Sequence, residues 1–392
     1  MNPSIVFAIA AFPSSLVAQD ALSGSFAESK TVSEFLFGAD NSWDRSYDDI
    51  QKWKEDHHLP ITIGAHNWFH YDRNDRILGD GYGGDTLDGT YFWYLQFDPS
   101  MQLDRGPFSE VGMHIEGRIR DGTDKFRPFV SEKYWFYEAY VYGKTDFGTF
   151  KAGQIVTKFG LPWDGTWWEG APYFDGYSFD PDYGISWENQ WTLSEKLTLD
   201  TSAQFFFHSD DVNGSIAGAD AESAPGTHEK NTLVLRAAPA YKFDNGVAVT
   251  WGLSALYGQL DGNTAGVDDD RYAFGTDITA TYGNIKVFVD YIDSYGAVNP
   301  VRYVSGGPSD RINSARVGAS YQWGPVNLHA NYSRGWDHNP DGNQEILNLG
   351  FTTQLTKNVT LYTEYVDWNV ENSAGVRTKF EDGFQVVFVW NL

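Results

Sequence analysis

The sequence predicts an all-β fold: a transmembrane antiparallel β-barrel closed from about sixteen strands. Three observations predict it. Polarity alternates with a period of two, the links between predicted strands are by turns short and long, and the last strand carries aromatics at Phe388 and Trp390.

The alternation begins near residue 60. Phe384, Val386, Phe388, Trp390 and Leu392 fall on one face of the final segment, opposite Gly383, Gln385, Val387, Val389 and Asn391. Val247, Val249, Trp251, Leu253, Ala255 and Tyr257 oppose Ala248, Thr250, Gly252 and Ser254. Ile285, Val287, Val289 and Tyr291 oppose Lys286 and Asp290, and Val111, Met113, Ile115, Gly117 and Ile119 oppose His114, Glu116, Arg118 and Arg120. Period two is the strand signature, but a soluble sandwich shares it.

The links separate the two. Strands are expected near 60–71, 89–98, 109–120, 131–143, 147–157, 183–193, 196–208, 230–243, 247–259, 271–282, 285–294, 311–323, 326–335, 344–355, 358–368 and 379–392. Lys144-Thr145-Asp146, Ser194-Glu195, Asp244-Asn245-Gly246, Gly283-Asn284, Gly324-Pro325 and Thr356-Lys357 form short links, mostly rich in tight-turn residues. The alternate links, near 72–88, 121–130, 158–182, 209–229, 260–270, 295–310, 336–343 and 369–378, are longer and rich in Gly and Asp; only 99–108 departs from the rule. Short turns at one end and long loops at the other are what a membrane barrel produces. A terminal strand that closes on the first leaves no edge exposed to lipid.

Composition agrees. Aromatics make up 17% of residues, with 15 Trp, yet the mean hydropathy is only -0.43. Amphipathic rings settle at both lipid interfaces, and only every second residue of a lipid-facing strand must be apolar. The chain has no cysteine, which excludes thiol catalysis, thiolate metal sites and disulfides. A net charge of -25, from 53 acidic and 28 basic residues, argues against nucleic acid as a partner. No run approaches the length of a membrane-spanning helix, so a membrane role requires the barrel.

The apolar run Ile5–Phe12, followed by Leu16-Val17-Ala18, predicts a signal peptide over 1–18. Residues 19–59 form an acidic extension outside the barrel pattern, with a short helix expected around 42–54; it is a periplasmic extension, a segment folded into the pore or a flexible leader. The barrel occupies 60–392.

The link 158–182 holds Trp163, Asp164, Trp167, Trp168, Glu169, Tyr173, Phe174, Asp175, Asp180 and Asp182. A loop so rich in Trp would expose a large apolar patch if it stood in water; folded into the lumen, it narrows a pore. Strand parity sends His66, His114, Glu116, Arg118, Arg120, Glu138, Lys151, Glu188, Gln190, Arg236, Asp277, Lys286, Asp290, Arg316, His329 and Glu364 to the lumen side. In lipid a midplane Arg or Lys costs about 2–4 kcal/mol; in a wet lumen these charges stay hydrated and set selectivity. The residues expected to form the constriction are Trp163, Asp164, Trp167, Trp168, Glu169 and Asp175 on the loop, with Glu116, Arg118, Arg120, Lys151, Arg236 and Arg316 on the wall.

Tyr134-Trp135-Phe136-Tyr137-Glu138-Ala139-Tyr140-Val141, then Gly148-Thr149-Phe150-Lys151-Ala152-Gly153-Gln154 and a long loop, resemble the general trimeric porins. The similarity is greatest to the DcaP-like porins, in which a Gly-x-x-x-Ala-Gly-Gln strand leads into the constriction loop. It covers about residues 131–170. The resemblance implies a homotrimer of sixteen-stranded barrels in the outer membrane of a Gram-negative bacterium, with 158–182 as the eyelet and outer-membrane lipid around it. It also implies passive diffusion of small polar or charged solutes and ions.

Two other classes are tested against this one. A barrel enzyme of lipase or protease type needs a nucleophile, base and orienting group, and no Gly-x-Ser-x-Gly motif nominates one. A soluble carbohydrate-binding β-protein has no need of alternating link lengths. No cofactor is expected. Gly266-Val267-Asp268-Asp269-Asp270 and Asp80-Gly81-Tyr82-Gly83-Gly84-Asp85 offer oxygen ligands for Ca²⁺ without EF-hand spacing, and His57-His58 stands too isolated for zinc.

Overall fold

The computed structural model describes residues 26–72, 86–120, 134–162, 165–166, 178–208, 228–261, 270–295, 311–338, 341–371 and 374–391. The expected signal peptide therefore lies outside the described residues.

Strand parity and turn chemistry produce a single antiparallel sheet. Its strands are β1 (Ile61–Asp72), β2 (Thr86–Phe97), β3 (Ser100–Gln102), β4 (Glu110–Arg120), β5 (Tyr134–Thr145), β6 (Gly148–Lys158), β7 (Ser178–Thr192), β8 (Leu197–His208) and β9 (His228–Lys242). They continue with β10 (Ala248–Asp261), β11 (Asp270–Tyr282), β12 (Ile285–Tyr295), β13 (Arg311–Trp323), β14 (Val326–His338), β15 (Asp341–Thr356), β16 (Val359–Glu371) and β17 (Arg377–Asn391). Neighbours in sequence pair in space, and β17 pairs β1 from Gly64↔Asn391 to Asp72↔Gly383, which closes the sheet. Both β2 and β3 pair β4, so the two are one strand interrupted at Asp98-Pro99 and the barrel has sixteen. Proline has no N–H for the ladder, but its carbonyl still accepts from the Met113 N–H at 3.0 Å. That interruption explains the one link that departed from the short-turn rule: the true turn is 103–109.

Two expected boundaries are corrected. The link near 336–343 is not long, because the β14–β15 ladder runs out to His338↔Asp341 and leaves only 339–340 between them. The long loop after β6 ends at 177 rather than 182, because Lys158↔Ser178 and Ile155↔Asp182 are ladder pairs; Asp180 and Asp182 belong to β7.

The barrel is apolar outside and polar inside. Trp251, Leu253, Tyr257, Val287, Val289, Tyr291, Phe384, Phe388 and Trp390 are exposed on the outer face. Ser254, Asp277, Asp290, Ser314, Arg316, Asn348 and Glu364, from the alternate positions, are buried on the inner face. This inverts the order of a soluble protein, and lipid is the solvent that such an exterior requires.

Helices α1 (Val32–Phe37) and α2 (Ser42–Asp56) precede the barrel. Thr31 caps α1 by accepting from the Glu34 N–H, and Asn41 caps α2 by accepting from Trp43 and Asp44. They pack on the end of the barrel that carries the short turns. The Lys357 N–H, in the β15–β16 turn, donates to Asp44 Oδ1 at 2.8 Å, and Lys357 Nζ pairs with Asp48. Phe26 meets Trp323 edge to face at 5.0 Å. Burial opposes ionisation of Asp44. Hydrogen bonds from Lys357, Asn41 and Ser33 nonetheless hold its carboxyl below the ordinary carboxylate range.

Candidate functional site

The site begins where β6 leaves the wall. Its pairing with β5 ends at Ala139↔Gln154, whereas its pairing with β7 continues to Lys158↔Ser178. Gly153 permits the departure: it holds φ +141°, and a Cβ there would sit 2.2 Å from the Ala139 carbonyl. The backbone groups freed from β5 are met by side chains. Gln204 accepts from the Lys158 N–H at 2.7 Å and donates to the Val156 carbonyl at 2.9 Å, while Glu138 accepts from the Val156 N–H at 3.4 Å.

The chain then crosses the lumen. Phe159 packs with Ile155, Phe206, Val234, Leu256, Ala273 and Ile292 in a small apolar core on the inner faces of β8–β12. Gly160 N–H donates to Ser254 Oγ at 3.1 Å, and farther on Asn331 Nδ2 of β14 reaches Thr166 Oγ1 at 3.5 Å. An inward-folded loop was expected for its Trp content, but Trp163, Asp164, Trp167, Trp168, Glu169 and Asp175 all lie outside the described residues. The described anchors are instead Phe159, Leu161 and Thr166, all buried. Gln204 was legible only as a lone amide at an inward position of the apolar β8.

The wall residues divide into two groups. Arg236 and Arg316 join buried pairs. Arg236 reaches from β9 across β10 to Asp277 of β11, with Nη1 at 2.6 Å and Nη2 at 3.0 Å, and also donates to Ser254. The pair passes over Gly252, where a Cβ would lie 2.1 Å from Asp277. Arg316 meets Asp290 at 3.1 Å, with side chains only 1% and 2% exposed. His329 and Glu364 meet at 3.1 Å over Gly350 in the same manner.

Glu116, Arg118 and Lys151 stand on β4–β6, where charges remain partly open. Arg118 Nε donates to Glu116 Oε1 at 2.5 Å, with side chains 19% and 15% exposed, and its guanidinium lies over the Tyr137 ring. Lys151 and Lys158 both hold Glu188, and the Lys158 side chain is 44% exposed. A bulge in β5 between Phe136, opposite Gly117, and Glu138, opposite Glu116, places Tyr137 on the inner side beneath Arg118. Arg120 pairs in register with Phe92, and its side chain lies outside the described residues. The acidic stretches around 80–85 and 266–269 also lie outside them.

A closed barrel with an apolar exterior, a polar interior and a loop across the lumen is the architecture of a membrane channel. A family model of the Gram-negative porins matches residues 69–373, and the chain belongs to that family. Among solved structures it is similar to OmpF of Salmonella typhi, solved with daunomycin: 15% identity over 85% of this chain and 97% of that one, TM-score 0.60. It is similar to the outer-membrane channel DcaP of Acinetobacter baumannii, at 16% identity over 85% and 96%, TM-score 0.54. It is also similar to the trimer form of OmpT from Vibrio cholerae, at 11% identity over 85% and 99%, TM-score 0.54. Among curated proteins nothing matches. The chain is thus an outer-membrane porin of a Gram-negative bacterium, a channel for passive diffusion of solutes, and its short turns face the periplasm.

Proposed function

We propose that solutes are sorted where the β6–β7 loop crosses the lumen, between the partly open charges of β4–β7 and the loop itself. The observation that carries this reading is the course of the loop root, from Lys158 on Gln204 through Phe159 in its apolar seat to Thr166 beside Asn331. The described part of the root lies on the β8–β14 side of the lumen, and on this reading the passage lies against β4–β7. That wall holds Arg118, Lys151 and Lys158 alongside Glu116, Glu138 and Glu188, close enough in number that neither sign dominates. Small polar or charged solutes and ions pass, and apolar ones are slowed by the field between opposed charges. The chain acts as a pore rather than an enzyme, in keeping with its family.

The working unit is a homotrimer. The similarity to the trimer form of OmpT supports this reading. Planar-bilayer recording tests both points: conductance in threefold steps, with a reversal potential that moves when Arg118 is replaced by Ala. Purified, folded protein that conducts no ions would refute the reading.

A further inference from the structure

Just below the point where β6 leaves the wall, strand parity and an interrupted strand bring an imidazole and three carboxylates together. Parity on β4 sends His114 and Glu116 inward. Parity on β5 sends Glu138 inward, directly opposite Glu116 in the ladder, and the adjoining bulge adds Tyr137 beside it. The Asp98-Pro99 interruption of the second strand brings Asp98 to His114, Oδ1 to Nδ1 at 2.5 Å.

His114 is 8% exposed, with the Tyr140 ring stacked on it at 5.0 Å and Gln96 Nε2 3.4 Å from Nδ1. In the neutral imidazole, an Nδ1–H given to Asp98 leaves Nε2 as an acceptor. That nitrogen is buried and has no hydrogen-bond partner. Its nearest polar neighbour is Glu138 Oε2 at 3.7 Å, itself an acceptor. Two lone pairs facing each other across such a gap, with a third carboxylate opposite the second, call for a cation between them. Of the nearby basic groups, Arg118 holds Glu116 through Oε1 and Lys151 holds Glu188.

We propose that His114 Nε2, Glu138 and Glu116 bind a divalent transition-metal cation of the Zn²⁺ class on the pore wall, with Asp98 orienting the imidazole. The ligand atoms of the three residues lie within 4.8 Å of one another. Zn²⁺, with bonds of about 2.0–2.2 Å, separates tetrahedral ligands by about 3.3–3.6 Å, so a small inward movement of the carboxylates completes the set. Three protein ligands leave a fourth position to lumen water, and the carboxylate–His–metal arrangement supplied by Asp98 is the one that fixes a metal-binding tautomer. Imidazole with carboxylates favours this class over Ca²⁺, which takes six to eight oxygens. Bound there, the ion ties β4 to β5 and adds positive charge to the passage.

Calorimetric titration of ZnCl₂ into the folded, detergent-solubilised porin tests the site. The expected result is one saturable site per chain, weakened about tenfold or more in His114→Gln and in Glu138→Gln, and about 10–100-fold in Asp98→Asn. A His57→Ala/His58→Ala variant, altered between α2 and β1 and outside the barrel strands, retains the site. Micromolar Zn²⁺ also lowers cation conductance of the wild type but not of Glu138→Gln, a readout that remains if His114→Gln fails to assemble. The proposal is overturned if no saturable binding occurs, if His114→Gln and Glu138→Gln bind as the wild type does, or if His114 only shares a proton with Glu138 and takes up no metal.

Discussion

The wall from β9 to β16 and the wall from β4 to β7 both carry inward ionic side chains, yet treat them oppositely. On the first, three pairs are matched one to one and sealed: Arg236 with Asp277, Arg316 with Asp290, His329 with Glu364. Glycine on the intervening strand lets two of these pairs cross it. On the second, Arg118, Lys151 and Lys158 share their carboxylates in a half-open chain. A sealed pair is costly to break, since the survivor is left as a buried charge. An open one is screened and costs little, but it meets whatever passes. On the proposed reading, one wall holds the barrel and seats the loop, and the other faces the solute.

The largest effects should therefore fall on the sealed side. Arg236→Ala leaves Asp277 uncompensated and should cost about 3–5 kcal/mol, read as a lower temperature for loss of the compact band on a heat-modifiability gel. Arg118→Ala should leave that temperature nearly unchanged. Equal losses would erase the distinction between the walls. Phe159→Ala removes the seat of the loop, at a local cost of about 3–5 kcal/mol, and should give a larger and noisier single-channel conductance from an intact barrel. A conductance equal to the wild type would show that the loop is held by other contacts.

An intermediate effect is expected outside the pore. Asp44→Ala removes the acceptor that ties α2 to the β15–β16 turn, a charged hydrogen bond of about 1.5–3 kcal/mol, and should raise amide exchange over 26–56 without altering conductance. Acid acts in the same sense. The Asp44 carboxyl is held below its ordinary value, so its contribution is complete above the unfolded value of about 3.9 and is lost as pH falls through the lower folded one. Exchange that is constant across that window would contradict the docking. The smallest effect belongs to the exterior: Arg377, paired with Glu345 at 2.8 Å but 56% exposed, should contribute about 0–1 kcal/mol when replaced by Ala.

Much of this contrast was legible in the sequence. Alternation at Trp251–Tyr257 and Phe384–Trp390, with links such as Asn245-Gly246, identified the barrel and sent Arg118, Arg236 and Arg316 to the same inner side. What parity cannot express is distance between strands. Nothing in the order of residues said that Arg236 would bridge over Gly252 to Asp277, or that Glu116 would face Glu138 rather than a neighbour one residue away. The β5 bulge and the Pro99 interruption are local breaks in period two, and each re-aims a side chain that alternation alone leaves unplaced. The loop was expected to be held by its Trp residues; Phe159, Leu161 and the amides of Gln204 and Asn331 form its described anchorage, because a chain leaving a wall must first satisfy the backbone it has unpaired.

The central claim is that selectivity resides on the β4–β7 wall and structure on the opposite one. Reversal potential in a salt gradient, for the wild type, Arg118→Ala and the folded fraction of Arg236→Ala, tests it most directly. The account predicts a shift toward cations for Arg118→Ala and none for Arg236→Ala. An unmoved potential in the first, or an equal shift in the second, would contradict it.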